Sequence, residues 1–415
     1  MHYDYTPRAY RRIVFAAVQG NGFEEASESL QELADIKLLP KRIWRAAKRV
    51  GEERVAEAQQ AAGEFEQLAL PARQESPMAV TPNVVCIQTD GGRYQERERI
   101  AGAAEGVRSG SATLSEVASN AESDGHWREY KAAVLATMAS KVHAEDPCPE
   151  LPATFADPGK MREIAREIKG FTTDSETPCQ GAEEVEPDFE NHVGRPEVLV
   201  KSVVATSGDI NAFGPQLAAA GHERGFFAAP RKAFVADGSE TNWSLWRRYF
   251  SHFTPIVDFV HALMYVYAAA MSGQPPEEGW ADYCRWAQWL WEGETDCLLE
   301  ALKRRQEELG LPEPKETGTP RAQVAKSLTY LTNQRKRMDY AAYRQEGLPI
   351  TSSLIESTIK QINRRIKGTE KFWDGGVDPI LHLVADRLSQ TNAMDKFWSR
   401  RLSRLLKSAS YHLAS

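Results

Sequence analysis

Two apolar runs, each ending in an aspartate followed by glycine, narrow the possible folds of this chain more than any other feature. VVCIQTD ends at Asp90 and precedes Gly91-Gly92, and KAFVAD ends at Asp237-Gly238. Apolar, β-branched runs bounded by turn residues predict buried strands. Because helical patterns separate these strands, we expect a mixed α/β core in which each strand ends at a carboxylate.

The 415 residues exceed the usual size of one domain, which is about 100–200 residues. The residue pattern predicts four regions. They are a helical region with a helix-turn-helix pattern at 1–75, the first part of the core at 81–271 with an acidic, proline-rich surface insertion at about 142–195, a helical segment at 272–345, and the last part of the core with basic helices at 346–415.

The net charge of −7 conceals a segregation of charge along the chain. Residues 331–415 contain 15 lysines and arginines against 8 acidic residues, and residues 1–51 contain 9 against 6. The ends are therefore basic and the middle is acidic. Such a chain can bind phosphate groups locally while it keeps metal-binding carboxylates elsewhere.

Cysteine usage and hydropathy predict a cytoplasmic protein. The five cysteines form no CxxC pair, which favours a reducing compartment and argues against a structural zinc site. The N-terminus shows no secretory signal pattern. The longest apolar run, 256–271, is interrupted by Asp258 and His261 and is too short for a membrane span, so we expect no membrane contact.

The N-terminal region predicts a helix, a tight turn at DIKLLP, and a second helix, PKRIWRAAKRV, which Gly51 would end. In the second helix Ile43, Ala47 and Val50 share one face. The basic residues lie away from that face: Lys41, Arg42, Arg45, Lys48 and Arg49. This pattern is typical of a recognition helix for DNA, and it fits an ordinary solvated basic helix equally well.

Acidic residues from separate elements are what two-metal phosphoryl transfer requires, because two ions about 3.5–4 Å apart hold the attacking and leaving oxygens. Asp90 and Asp237 fit this need if their strands end at one edge of a sheet. Each aspartate alone is more readily explained as a turn residue. Asp237 could also cap a helix that begins near Asn242.

A third acid, Glu356, lies on the predicted helix SSLIESTIKQINRR. The order Ser353-Leu354-Ile355-Glu356 fits a capping box, in which the glutamate binds the amide of the cap residue. Against this structural role, Glu356 shares one helical face with Lys360, Asn363 and Lys367, as suits a helix that lies along a phosphate backbone. Another face is apolar: Ile355, Ile359, Ile362 and Ile366.

Asp258 and His261 form a DxxH step where the run TPIVD passes into a helix. Their spacing places both side chains on one face. They could support the carboxylates, pair with each other, or cap the helix. A histidine on a mostly apolar helix is more often a core residue than a ligand.

In their order, the segments QTDGG, WREYK, VADG, IVDFVHA and SSLIESTIKQINRRIKGTEKFW resemble DDE transposases of bacterial insertion sequences of the ISKra type, related to the Mutator-like superfamily. The resemblance extends from about Thr81 to Arg400. It implies a ribonuclease H-like catalytic core interrupted by an all-helical insertion, with Asp90, Asp237 and Glu356 holding two Mg²⁺ or Mn²⁺ ions. It also implies a supporting role for the DxxH pair.

The resemblance implies a nucleoid-associated enzyme that cleaves terminal inverted repeats and joins the freed 3′-hydroxyl to target DNA as a dimer or higher multimer. Double-stranded DNA would be bound by the N-terminal basic residues and by Lys360, Asn363, Arg364, Arg365, Lys367, Lys371 and Trp373. Trp286 or Trp289 would stack on a base, although tryptophans at helical spacing more often pack in a core. Two alternatives stay open, an inactive transposase-derived DNA-binding protein and a structure-selective nuclease of the same fold.

Overall fold

The apolar runs of the sequence form the strands of a central sheet. The computed structural model describes residues 5–97, 127–167, 194–367 and 372–413. The strands are β1 Val84–Glu96, β2 Trp127–Ala139, β3 Glu197–Thr206, β4 Arg231–Ala236, β5 Thr254–Val257 and the short β6 Phe372–Trp373. The main order is β3-β2-β1-β4-β5, with β6 beside the end of β1. The first three strands are antiparallel, and β4 and β5 run parallel to β1.

Helices cover this sheet and confirm the mixed α/β class. Those before β3 are α1 Pro7–Gln19, α2 Phe23–Ala34, α3 Pro40–Gln67, α4 Leu70–Gln74 and α5 Pro158–Glu167. Between β3 and β6 lie α6 Ile210–Glu223, α7 Glu240–Tyr249, α8 Phe259–Ala270, α9 Pro276–Glu292, α10 Thr295–Leu309, α11 Pro320–Gln334, α12 Tyr340–Gln345 and α13 Ser353–Ile366. The last are α14 Val377–Leu388 and α15 Ala393–Leu413. Within the four described stretches, no helix combines the length and apolar character that a membrane span requires.

Strand β1 continues beyond Asp90, so the prediction that it ends there in a turn is wrong. Gly91 and Gly92 pair with Lys131 and Tyr130 of β2. A Cβ on Gly92 would lie 2.2 Å from the ring of Tyr130, which is fully buried. The glycines therefore let the Tyr130 ring lie against the strand, and they do not mark its end.

The N-terminal helices pack against the C-terminal part of the chain. One hydrophobic cluster includes buried side chains of α1, α2 and α3 together with residues of α13 and α14. Helix α3 continues through Gly51, where a helix end was predicted. A Cβ there would come within 2.4 Å of the carbonyl oxygen of Pro379, so glycine allows α14 to approach α3 closely.

The predicted surface insertion at 142–195 is described in part, because residues 168–193 lie outside the described stretches. The described portion is not wholly superficial. Phe155 is 1% exposed and its ring lies 5.2 Å from that of Phe259. Arg344 of α12 is buried and forms an ion pair with Asp146. These contacts attach the segment to the main core.

Candidate active site

Asp90 and Asp237 lie just past the point where the pairing of β1 with β4 stops. That pairing ends at Gln88 and Val235, so Asp90 stands two residues beyond it, in the middle of β1. Asp237 directly follows β4. The amide of Gly91 donates to Asp90 Oδ1 at 2.6 Å. Only Asp237 therefore stands at a strand end, because β1 continues past Asp90 in its pairing with β2.

The turn after β4 fixes Asp237 at one carboxylate oxygen. Asp237 Oδ1 accepts hydrogen bonds from the Ser239 amide and the Asn242 side chain, both at 2.9 Å. Ser239, and not Asp237, caps helix α7, which begins at Glu240. The hydroxyl of Tyr330 donates to the backbone oxygen of Asp237 at 2.8 Å. Asp237 can therefore be a turn residue and a carboxylate of the site at the same time.

Glu356 does not form the predicted capping box. The cap residue of α13 is Ser352, one position earlier than expected, so Glu356 stands four residues after the cap. Its Oε1 accepts a hydrogen bond from the Ser352 hydroxyl at 3.0 Å. The Ser352 amide donates instead to Asp258 Oδ2. Asp258 thereby does what a capping glutamate would do, and Glu356 is not needed to satisfy that amide.

Asp258 both caps helix α8 and pairs with His261, two of the three roles that its sequence left open. It is fully buried and caps α8 by accepting from the His261 amide at 2.7 Å. His261 Nδ1 lies 3.1 Å from the same Oδ1 atom. The bond from Ser352 to Oδ2 links this pair to the start of α13. Asp258 thus joins the end of β5 to the helix that carries Glu356.

Asp258, His261 and Glu356 each bring a ligand atom to one place, within 4.8 Å of one another. Among the described residues, no other three potential metal ligands converge this closely. Asp90 and Asp237 belong to no such group of three. Their charges nevertheless act on the group. The negative charge of Asp237 raises the pKa of Asp90, and Asp90 in turn contributes to the raised pKa of Glu356.

Burial and like charges perturb the protonation of this cluster. Burial, reinforced by the charge of Asp237, raises the pKa of Asp90 to about 6. Burial and the charge of Asp258 raise the pKa of Glu356. Burial opposes a charge on His261, but the hydrogen bond to Asp258 and the surrounding carboxylates outweigh it and raise its pKa to about 9. His261 is therefore cationic at neutral pH.

The donor set fits a hard divalent cation. Carboxylate oxygens are the ligands that Mg²⁺ and Mn²⁺ favour. Burial is the main cause of the raised pKa values of Asp90 and Glu356, and the charge of His261 opposes it at both carboxyl groups. Among the acids, Asp258 and Glu356 converge closely enough to hold such an ion together.

Part of the predicted basic face of α3 is exposed. The side chains of Lys41, Arg42 and Arg45 face solvent. Lys48 is half-buried, with its Nζ 3.8 Å from Glu52. Arg49 is exposed and donates to the Tyr10 hydroxyl at 3.1 Å. Four of the five predicted basic residues therefore face solvent, and Arg49 also forms a contact within the protein.

The polar face of α13 is likewise divided. Arg364 and Lys367 are exposed, and Lys360 is half-buried. Asn363 accepts a hydrogen bond from the Tyr130 hydroxyl at 2.9 Å, which holds the helix against β2.

Two residues predicted to contact DNA are buried. Arg365 is 4% exposed, donates to the Ala17 backbone oxygen at 2.8 Å, and lies over the ring of Phe23. Trp373 is 7% exposed and donates to the Ile366 backbone oxygen. Both side chains join α13 to its surroundings, because each finds its polar partner inside the protein. Lys371 lies outside the described residues.

The tryptophans of α9 contribute mainly to a core. Trp286 is 3% exposed and belongs to the main hydrophobic cluster, as the packing alternative predicted, so it is not presented to a base. Trp289 is half-buried, with the Arg285 guanidinium 5.7 Å from its ring centre.

Sequence reasoning missed three residues that hold the site: Gln88, Tyr130 and Tyr330. Gln88 is 1% exposed and its side chain contacts the start of α13. The one available signal was a polar residue inside the apolar run VVCIQTD. The two tyrosines gave no signal, because their partners, Asn363 and Asp237, are distant in the sequence.

No protein-family model matches the chain, and comparison with curated proteins finds no relative.

Proposed function

We propose that the chain is a DNA transposase of the DDE type, which cleaves the ends of an insertion sequence and joins them to target DNA. One observation carries the proposal. Asp90 on β1, Asp237 after β4 and Glu356 on α13 come from three separate elements, and their charges act on one another or on His261 at one place. Separate acidic elements around one centre are what two-metal phosphoryl transfer needs.

A ribonuclease H-like core is part of this proposal. It is supported by three antiparallel strands followed by two parallel ones in the order β3-β2-β1-β4-β5. It is also supported by the position of the acids, on the first strand, after the fourth strand and on a later helix. A segment of helices, α9 to α12, separates the second acid from the third, as the resemblance implies.

Bound Mg²⁺ or Mn²⁺ would lower the pKa of the attacking hydroxyl and offset charge on the phosphate oxygens. In the first step water attacks phosphorus, and the bond to the 3′-oxygen of the element end breaks. In the second step that 3′-hydroxyl attacks a target phosphorus and displaces the target's own 3′-oxygen. The protein's part would be to hold Asp90, Asp237 and Glu356 in place, and no covalent protein intermediate is needed.

Double-stranded DNA would contact exposed basic residues of two helices. These are Lys41, Arg42 and Arg45 on α3 and Arg364 and Lys367 on α13. Lysines and arginines neutralise phosphates, so affinity for DNA should fall steeply with salt. Synapsis of two element ends would require at least a dimer.

The test is incubation of the purified chain and of an Asp90→Asn variant with plasmid DNA that carries the genomic sequence flanking its gene. The proposal predicts cuts that require Mg²⁺ or Mn²⁺, expose a 3′-hydroxyl and are followed by joined products. Binding without cutting would favour an inactive DNA-binding protein. Cutting without joining would favour a structure-selective nuclease. Cutting by the Asp90→Asn variant would remove Asp90 from the site.

A further inference from the structure

Helix α13 begins with backbone amides that the side chain of its cap residue does not bind, although the Ile355 amide also reaches the Ser352 backbone oxygen at 3.0 Å. The first amides of any helix lack partners within the helix. Ser352, the cap residue, makes no side-chain hydrogen bond to them. The Ser352 amide donates instead to Asp258, and the Ile355 amide donates to Gln88 Oε1 at 3.0 Å. Two buried side chains from other elements therefore cap the helix that carries Glu356.

Gln88 forms a second bond to the same segment. Its Nε2 atom donates to the backbone oxygen of Thr351 at 2.9 Å. The side-chain amide thus binds one acceptor before the helix and one donor in its first turn. Gln88 is 1% exposed, so water does not compete for either bond.

The position of Gln88 gives these bonds a consequence for the site. Gln88 stands two residues before Asp90 on β1, and Ile355 directly precedes Glu356. Residues two apart on a strand point to the same face of the sheet. The Gln88 amide therefore connects the strand of one proposed metal ligand to the helix turn of another, and it adds no charge to the cluster.

We propose that Gln88 is a positioning residue that sets the distance between Asp90 and Glu356. The proposal rests on the proposed function, because its consequence is measured in DNA cleavage. A displacement of reacting groups by about 1 Å can cost about a hundredfold in rate. Loss of the two backbone bonds would let the first turn of α13 shift relative to β1, which would weaken metal binding and slow cleavage without changing the DNA-binding surfaces.

The experiment compares Gln88→Met with Gln216→Met in the full-length chain. Methionine fills similar space and removes the hydrogen bonds. Gln216 is a buried glutamine of α6, 8% exposed, and its Oε1 atom has no partner among the described residues. For both variants the melting temperature, DNA affinity, single-turnover cleavage rate and the Mn²⁺ concentration for half-maximal rate are measured.

The Gln88→Met variant is expected to cleave at least about tenfold more slowly per folded molecule and to need more Mn²⁺, with unchanged DNA affinity. The Gln216→Met variant is expected to match the wild-type chain in rate and Mn²⁺ requirement. If Gln88→Met lowers only the melting temperature, Gln88 is a structural residue and the proposal is overturned.

A second variant keeps the proposal testable if Gln88→Met does not fold. Gln88→Asn keeps an uncharged amide, but its side chain is one methylene too short to bind both Thr351 and Ile355, so a rate between those of wild type and a chain without either bond is expected. A Gln88→Asn rate equal to wild type with an unchanged Mn²⁺ requirement would overturn the proposal. A wild-type chain that never cleaves would instead overturn the proposed function, and the positioning role with it.

Discussion

Charged side chains are arranged in opposite ways in two regions of this molecule. Where α14 and α15 pack on α3, carboxylates meet arginines. Arg54 pairs with Asp386 at 2.7 Å, Arg401 with Glu53 at 2.7 Å, and Glu57 binds both Arg400 and Arg404. At the strand ends, four carboxylates gather around one histidine: Asp90, Asp237, Asp258 and Glu356 around His261.

The pKa directions show what this difference means. Burial acts to raise the pKa of Glu57, but its hydrogen bonds to Arg400 and Arg404 outweigh burial and lower it. At Asp90 and Glu356 burial prevails and the pKa is raised. Matched charges stabilise the fold at the helix interface. Unmatched carboxylates lower stability, and such a cost is typical of a site kept for function.

The largest expected effect comes from removing one charge of the carboxylate cluster. Asp90→Asn should lower the DNA cleavage rate by at least about a thousandfold, or about 4 kcal/mol at 1.36 kcal/mol per tenfold, because a metal ligand is lost. Cleavage is measured with DNA in excess, and DNA affinity is measured separately. Affinity should be unchanged or improved, since repulsion of phosphate decreases. If the variant still cleaves DNA in Mg²⁺, the carboxylate cluster matters no more for cleavage than the arginine–carboxylate pairs of the helix interface do.

Breaking an arginine–carboxylate ion pair at the helix interface should lower stability and leave the cleavage rate unchanged. Arg54→Met leaves the buried Asp386 without its partner and should lower the free energy of unfolding by about 3 kcal/mol. Denaturant titration measures this loss. The cleavage rate per folded molecule should stay at the wild-type value, because Arg54 lies at the helix interface. A rate loss larger than the loss of folded protein would show that this interface also serves the chemistry.

The pH dependence of stability separates the regions further. The folded pKa of Asp90, about 6, lies above its ordinary value of 3.8, so folding favours the protonated form. This contribution is fully present below the ordinary pKa and is lost as pH rises through about 6. Asp90→Asn cannot titrate. Without divalent ions, its stability relative to wild type should increase by about 1 kcal/mol from about pH 5 to about pH 7.5. A constant difference in thermal melts would contradict the raised pKa.

The smallest effect is expected at an exposed arginine of the matched region. The Arg404 side chain is 50% exposed, and Glu57 keeps its ion pair with Arg400 when the Arg404 guanidinium is removed. Arg404→Met should change the free energy of unfolding by less than about 0.5 kcal/mol, because exposed ion pairs contribute little. Raising the salt concentration should remove even this difference. A larger loss would mean that the α15 interface depends on Arg404 itself.

The sequence predicted the parts of the site that depend on local patterns. The apolar runs gave the strands that place Asp90 and Asp237, and the isoleucine spacing gave the buried face of α13. Long-range contacts were not predictable. The pair Gly91-Gly92 has the sequence of a turn, and only the structure shows that the Tyr130 ring lies on Gly92.

The same limit applies to charged and capping residues. The serine and glutamate of α13 match a capping box, yet Asp258, about a hundred residues earlier, binds the cap amide. Arg365 looks like part of a basic surface, but the N-terminal helices bury it. Sequence spacing places side chains on a helix face, whereas burial of that face depends on which elements pack there.

Iron-directed cleavage of the protein tests without DNA whether Asp90, Asp237 and Glu356 hold a divalent cation. Fe²⁺ with ascorbate produces hydroxyl radicals that cut the backbone close to the bound ion, and mass spectrometry maps the cuts. We expect cuts near Asp90, Asp237 and Glu356 that excess Mn²⁺ suppresses and that Asp90→Asn weakens. Cuts confined to other regions, or unchanged by Asp90→Asn, would contradict a cation at these three residues.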